Sequence, residues 1–157
     1  MGAADLAWLD RERRLYFPPE RNQLAAHLTM FHALPPTLEE EVRARLKALS
    51  AAPRPAAIVA GLINLGAGVA FRIGSAELDA IRGSLADHFH GSLTAQDAGE
   101  WRAHVTIQNK VPPLEAKALF DRLKAGFKPR PIGIHGLALH RYLGGPWEPL
   151  GRWPFRH

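Results

Sequence analysis

A four-residue motif, H-L-T-M at residues 27–30, recurs as H-V-T-I at residues 104–107. Three further matches follow each copy in nearly the same register: a Pro-Pro pair, then R-L-K-A, then P-R-P. They lie at 35–36, 45–48 and 53–55 after the first motif, and at 112–113, 122–125 and 129–131 after the second. Several matches in one order indicate two similar halves rather than a chance repeat. We therefore expect His27 and His104 to face one shared cleft.

Length and composition limit the class of protein. A chain of 157 residues, 46% of them hydrophobic and 22% charged, suits one globular domain over residues 1–157. The absence of cysteine excludes disulfides and thiolate metal sites and is consistent with a reducing cytoplasm. The apolar stretch 56–71 is interrupted by Asn64 and three glycines, so we expect no membrane span. The net charge of +5 weakly favours an anionic partner such as nucleic acid.

Hydrophobic periodicity and turn residues predict alternating helices and strands. Helices are predicted over 4–15, 37–49, 75–88 and 113–125, and strands over 24–31, 56–65, 69–73, 102–109 and 131–142. Thr37 and Ser75 are the predicted N-caps, and Gly126 is the predicted stop of the last helix. We expect the remaining segments to be irregular: 16–22, 91–99 and the proline-rich tail 146–157.

The paired motif supplies the groups that phosphodiester cleavage needs. A strand would place alternate side chains on one face: His27, Thr29 and Phe31 in the first copy, and His104, Thr106 and Gln108 in the second. Histidine titrates near neutral pH, so one imidazole can act as the base and the other as the acid. The threonine hydroxyls can donate hydrogen bonds to the non-bridging phosphate oxygens. This chemistry requires no metal and no other cofactor. H-x-T alone is a weak pattern, and its duplication is what favours a site over two structural histidines.

Several other residues are weaker candidates for substrate binding. Arg72, Lys110 and Arg141 fall at or near predicted strand ends, where they could neutralise a phosphate, although a solvated surface position is the simpler explanation for each. Gln108 is a further possible substrate-binding residue. Phe31 could stack on a base or pack in the core. His88 and His90 have no third partner in the sequence, so we interpret them as a solvated helix end and predict no metal site.

The residues around the two motifs resemble the two-histidine (2H) phosphoesterase superfamily, and more closely its 2'-5' RNA ligase-like proteins. The segments Y-F-P-P-E-R-N, H-V-T-I-Q-N-K-V and G-G-P-W-E-P-L are similar to one bacterial branch, and the resemblance covers nearly the whole chain. It implies an α+β fold with two pseudo-symmetric lobes, each with an antiparallel sheet and outer helices, around a central cleft. It also implies metal-independent chemistry on 2',3'-cyclic phosphates or 2'-5' linkages of RNA or nucleotides. His27 and His104 match the catalytic positions, and Thr29 and Thr106 match the phosphate-binding positions.

The chain departs from this resemblance at its start, because relatives have a strand ahead of the first helix and only about three residues precede that helix here. Three functions stay open from the sequence: an enzyme, a non-catalytic module that binds RNA ends or nucleotides, and a scaffold for a protein partner. Two intact motifs favour the enzyme. Pseudo-symmetry leaves open which histidine is the base, and we expect a monomer by default.

Overall fold

The structure of the chain, a computed structural model, describes residues 1–157 and has an α+β architecture of five α-helices and six strands. The helices are α1 (Ala3–Tyr16), α2 (Glu39–Ser50), α3 (Ala76–His88), α4 (Ala95–Ala98) and α5 (Pro113–Ala125). The strands are β1 (Ile58–Asn64), β2 (Val69–Gly74), β3 (His104–Gln108), β4 (Arg130–Pro131), β5 (Gly136–Tyr142) and β6 (Trp147–Pro154). None of the helices is both long enough and apolar enough to span a bilayer.

The helix signals in the sequence are mostly confirmed. The Ser75 side chain accepts a hydrogen bond from the Leu78 backbone N–H at 3.2 Å, which caps α3. Gly126 is the residue at which α5 ends. The prediction for Thr37 was wrong, because a 3-10 turn over Pro36–Leu38 precedes α2 and no side chain caps that helix. Proline favours such a first turn, so Thr37 lies inside the turn rather than ahead of it.

A four-stranded antiparallel sheet carries the second motif. Its strand order is β3-β2-β1-β4, so β3 forms one edge. Val105 and Ile107 of β3 are fully buried in the central core, and they alternate with His104 and Thr106, which are partly exposed. The β1–β2 turn lies against the end of β3, where a Cβ on Gly68 would collide with the Gln108 carbonyl. Glycine is therefore required where this turn approaches the strand.

The first motif does not lie in a strand, which corrects the prediction for residues 24–31. The segment has the alternation of a strand, but a strand also needs a neighbour that shares its backbone hydrogen bonds. No strand precedes α1, and β5 and β6 pair only with each other, as a separate two-stranded sheet. The two sheets therefore differ in size, and the structure shows the α+β class without two equivalent lobes.

Three further expectations were wrong at the level of single elements. The predicted strand 131–142 is divided, because Arg130–Pro131 pairs with β1 whereas Gly136–Tyr142 pairs with β6. The tail is not irregular, since Trp147–Pro154 forms β6 in a two-stranded sheet, whose outer edges tolerate proline. The segment 91–99 contains the short helix α4, which the Thr94 side chain caps by accepting from the Asp97 N–H at 3.2 Å.

Candidate active site

The second motif presents its histidine in a fixed orientation. His104 Nδ1 donates a hydrogen bond to the Arg102 carbonyl at 2.7 Å. A carbonyl oxygen can only accept, so this bond assigns the hydrogen to Nδ1 and leaves Nε2 for other partners. Thr106 lies two residues further along β3 and is also partly exposed.

The first motif presents its histidine through the same bond, although it lies outside a sheet. His27 Nδ1 donates to the Ala25 carbonyl, again two residues earlier, at 2.8 Å. The His27 ring is exposed, and Thr29 is half-buried. Both imidazoles therefore use Nδ1 in the same local contact, and their Nε2 atoms make no hydrogen bond within the protein.

Side chains from distant elements take the place of a neighbouring strand along the first motif. Two of its backbone carbonyls accept hydrogen bonds in this way, that of Thr29 from Trp101 Nε1 at 3.0 Å and that of Met30 from Arg82 Nε at 3.0 Å. Just before the motif, the Ala26 N–H donates to Asp10 Oδ1 at 2.5 Å. These bonds satisfy groups that an unpaired segment would otherwise leave open.

A buried carboxylate holds the end of the same segment. Asp97 of α4 is 2% exposed and accepts from the backbone N–H groups of His32 and Ala33 at 3.0 Å and from His32 Nδ1 at 2.9 Å. Burial would raise the pKa of Asp97, but these hydrogen bonds outweigh that effect and hold its pKa below the ordinary value. Asp97 is therefore held as a carboxylate at neutral pH.

The two motifs share their supports. Trp101, which bonds the Thr29 carbonyl, lies just ahead of His104 in the chain. From the other side, Arg13 of α1 donates through Nη1 to the Thr106 carbonyl at 2.7 Å and through Nε to Asn22 Oδ1 at 3.2 Å. Thr29 of the first motif is thus bonded to a residue just before the second motif, and Arg13 bonds both Asn22, before the first motif, and Thr106 of the second.

Two of the residues considered as substrate-binding candidates lie at opposite ends of the β2–β3 pairing, Arg72 opposite His104 and Gln108 opposite Val69. Arg72 of β2 pairs directly with His104 across the sheet and is exposed, with a long contact of 3.4 Å from Nη2 to the Ala60 carbonyl. Gln108 is 3% exposed, and its Oε1 has no hydrogen-bond partner. Such a buried, unpaired acceptor is uncommon in folded proteins.

The other weak candidates are engaged elsewhere or stay at the surface. The guanidinium of Arg82 lies over the Phe31 ring at 4.0 Å from its centroid, which supports the core-packing interpretation of Phe31. Arg141 binds Glu148 at 3.0 Å and Glu39 at 2.5 Å, so its charge is already neutralised. Lys110 is exposed and has a left-handed backbone with a φ of 60°.

His88 and His90, at the predicted helix end, have different surroundings. His88 Nε2 lies 2.6 Å from Glu41 Oε1, and His90 begins a separate 3-10 turn. No group of three or more His, Cys, Asp or Glu side chains is close enough together to hold a metal ion.

The sequence analysis did not identify the supporting residues Asp10, Arg13, Arg82, Asp97 and Trp101. A signal for the arginines was present in the sequence. Arg13 follows Leu9 by four positions on α1, and Arg82 lies between Leu78 and Leu85 on α3. Each arginine thus occupies the buried stripe of its helix, where charged side chains are rarely found without a specific partner.

The chain matches a known protein family over most of its length. The family model described as the 2'-5' RNA ligase superfamily matches residues 3–146. No curated protein matches the chain. Members of this superfamily are typically two-histidine phosphoesterases, and the family implies RNA ends as substrates. The match extends over both H-x-T motifs and over α1, α3 and α5, so the chain belongs to the 2'-5' RNA ligase superfamily.

Proposed function

We propose that the protein is a metal-independent phosphodiesterase that acts on 2',3'-cyclic phosphates or 2'-5' linkages of RNA or nucleotides. His27 and His104 are the proposed acid–base pair, and Thr29 and Thr106 are the proposed phosphate ligands. The two motifs line one cleft in this proposal, and the scissile phosphate lies between them.

The observation that carries the proposal is the matched presentation of the two imidazoles. Each ring donates from Nδ1 to the carbonyl two residues before it, at 2.8 Å for His27 and 2.7 Å for His104. A histidine that exchanges protons needs one nitrogen fixed and the other accessible. Two structural histidines would have no reason to share this arrangement and a threonine at the same spacing.

The reaction on a cyclic phosphate follows from these groups. The neutral imidazole takes a proton from water as the water oxygen bonds to phosphorus. The protonated imidazole on the other side gives its proton to the departing 2' or 3' oxygen, and a phosphate monoester results. The threonine hydroxyls donate to the non-bridging oxygens, whose negative charge grows in the transition state. For a 2'-5' linkage, the neighbouring 3'-hydroxyl takes the place of water and the 5' oxygen departs.

The test compares the full-length protein with His27→Asn and His104→Asn in the presence of EDTA. The substrates are nucleoside 2',3'-cyclic phosphates and a 2'-5'-linked dinucleotide, and products are separated by chromatography. We expect each variant to lose about a hundred- to ten-thousandfold in rate. His90→Asn is the matched control, because His90 is exposed and has no hydrogen bond.

The outcomes separate the enzyme from the alternative of a non-catalytic module for RNA ends or nucleotides. Turnover by the wild type and by His90→Asn, lost in both motif variants, supports the enzyme. Binding of the nucleotides without turnover by the wild type would support the binding module and overturn the proposal.

A further inference from the structure

Two arginines are buried in this protein, Arg13 at 4% exposure and Arg82 at 7%. Neither takes part in a salt bridge. Burial lowers the pKa of both guanidinium groups, which reflects the cost of removing them from water. An apolar side chain would fill the same space without that cost, so the charge itself calls for an explanation.

Arg13 joins the two parts of the chain that carry the motifs. Its Nε donates to Asn22 Oδ1, shortly before the first motif, at 3.2 Å. Its Nη1 donates to the carbonyl of Thr106, inside the second motif, at 2.7 Å. The guanidinium also lies 4.4 Å from the centre of the Phe17 ring. The planar fork therefore bridges two backbone regions and is braced by an aromatic face.

Arg82 forms a second bridge of the same kind. Its Nε donates to the Met30 carbonyl, inside the first motif, at 3.0 Å. Its Nη2 donates to the carbonyl of Asp97, shortly before the second motif. The guanidinium lies 4.0 Å from the Phe31 ring centre and 5.9 Å from that of Trp101, so aromatic rings brace this bridge as well.

The hydrogen bonds of Arg13 and Arg82 connect the two motifs, which no sheet joins through backbone hydrogen bonds. Backbone hydrogen bonds within the four-stranded sheet hold His104, but the first motif has no neighbouring strand. The distance from His27 to His104 therefore depends on side chains that reach across. Arg13 and Arg82 are the two whose guanidinium groups each bond both the segment around the first motif and the segment around the second.

We propose that Arg13 and Arg82 are positioning residues that fix His27 and His104 relative to each other. The inference rests on the proposed function, because the spacing matters only if both imidazoles act on one phosphate. Neither arginine is assigned contact with the substrate. A displacement of about 1 Å between reacting groups can cost about a hundredfold in rate, so loss of either bridge should be visible in kcat.

The test uses Arg13→Lys and Arg82→Lys in the full-length protein. Lysine keeps the charge and the apolar stem, but one ammonium cannot reproduce the two-armed fork. We expect kcat on a nucleoside 2',3'-cyclic phosphate to fall about ten- to hundredfold, with KM little changed. Arg14→Lys is the matched control on α1, because Arg14 is exposed. Normal kcat in both buried-arginine variants would overturn the proposal.

A second readout does not depend on turnover. The imidazole Cε1–Hε1 signals of His27 and His104, measured by NMR at constant pH, should shift in both buried-arginine variants. The corresponding signals of His88 and His140 should stay in place. In the control variant Arg14→Lys, none of these four imidazole signals should shift. If the wild type turns over no substrate, the proposed function fails, and the NMR shifts still decide whether the arginines position the rings. Unchanged His27 and His104 signals in folded variants would overturn the inference.

A milder variant covers the case in which the lysine substitutions prevent folding. Asn22→Ala removes the acceptor at one end of the Arg13 bridge and leaves the arginine in place. A smaller shift of the same two imidazole signals is expected. Unchanged signals in this variant would count against the bridge in the same way.

Discussion

Arg72 of β2 and His104 of β3 are direct neighbours across the antiparallel pairing. Such pairs have Cβ atoms about 4.5–5.5 Å apart and lie on one face of the sheet. Arg72 makes only one long hydrogen bond, to the Ala60 carbonyl at 3.4 Å, and has no salt bridge that neutralises its charge. Among the cations singled out from the sequence, Arg72 is therefore the one that we propose to test for binding of a substrate phosphate.

Replacing Arg72 with methionine should therefore weaken substrate binding more than chemistry. We expect KM for a cyclic nucleotide to rise about tenfold, because a charge-assisted hydrogen bond contributes about 1.5–3 kcal/mol. Steady-state kinetics at low and high salt measures the effect, and the difference from wild type should shrink as salt screens the charge. Arg14→Met is the control for loss of one positive charge, and an equal rise in KM there would remove any special role of Arg72.

The hydrogen bonds to Asp97 make stability depend on pH in the acid range. The pKa of Asp97 is lowered in the folded protein, so the stabilisation is fully present above the ordinary carboxyl pKa of about 4 and is lost as the pH falls through the lower folded value. Asp97→Asn should lower the free energy of unfolding by about 1–3 kcal/mol at pH 7. Urea denaturation at pH 7 and near pH 3 measures this, and the gap between variant and wild type should narrow at the lower pH. A gap that stays constant would mean that the charge on Asp97 is irrelevant.

The bond from Trp101 to the Thr29 carbonyl can be removed while an aromatic ring is kept at position 101. Trp101→Phe should lower the free energy of unfolding by about 1–3 kcal/mol, since the Thr29 carbonyl loses its partner. Trp153→Phe is the matched control, because Trp153 is also partly buried and donates no hydrogen bond from its indole. Thermal or urea unfolding measures the loss of unfolding free energy in the two variants, and the loss should be larger in Trp101→Phe. An equal loss in both would show that ring size, and not the bond at Thr29, is responsible.

The elements that the sequence predicted well are those specified by local chemistry. The Ser75 cap of α3 was predicted correctly because a side-chain hydroxyl at a helix start acts within a few residues. The strand β3, which carries the second motif, was predicted because alternation of apolar residues is also a local pattern. The first motif has the same alternation as the second, yet Leu24–Phe31 is not a strand. Whether an alternating segment joins a sheet depends on a neighbour elsewhere in the chain, and no local pattern records whether one is present.

The candidate site follows the same division. The histidines and threonines could be proposed as site residues because the motif occurs twice. The side chains that support the motif, Arg13, Arg82 and Asp97, are distant from it in sequence. These side chains bond to backbone carbonyls and N–H groups. Every residue has a backbone carbonyl and every residue except proline has a backbone N–H, so the sequence around the motif does not indicate which of them is bonded. Only the unusual place of an arginine in a buried helical stripe indicated that such contacts exist.

Gln108 gives a prediction of opposite sign. Its side chain is 3% exposed, and Oε1 has no hydrogen-bond partner, so the amide oxygen has been removed from water without compensation. Replacing an unsatisfied buried polar group by an apolar one of similar shape is typically neutral or stabilising. Gln108→Met should therefore raise the free energy of unfolding by up to about 1 kcal/mol, measured by urea denaturation without ligand. Destabilisation of the ligand-free protein would mean that the amide has a structural partner after all.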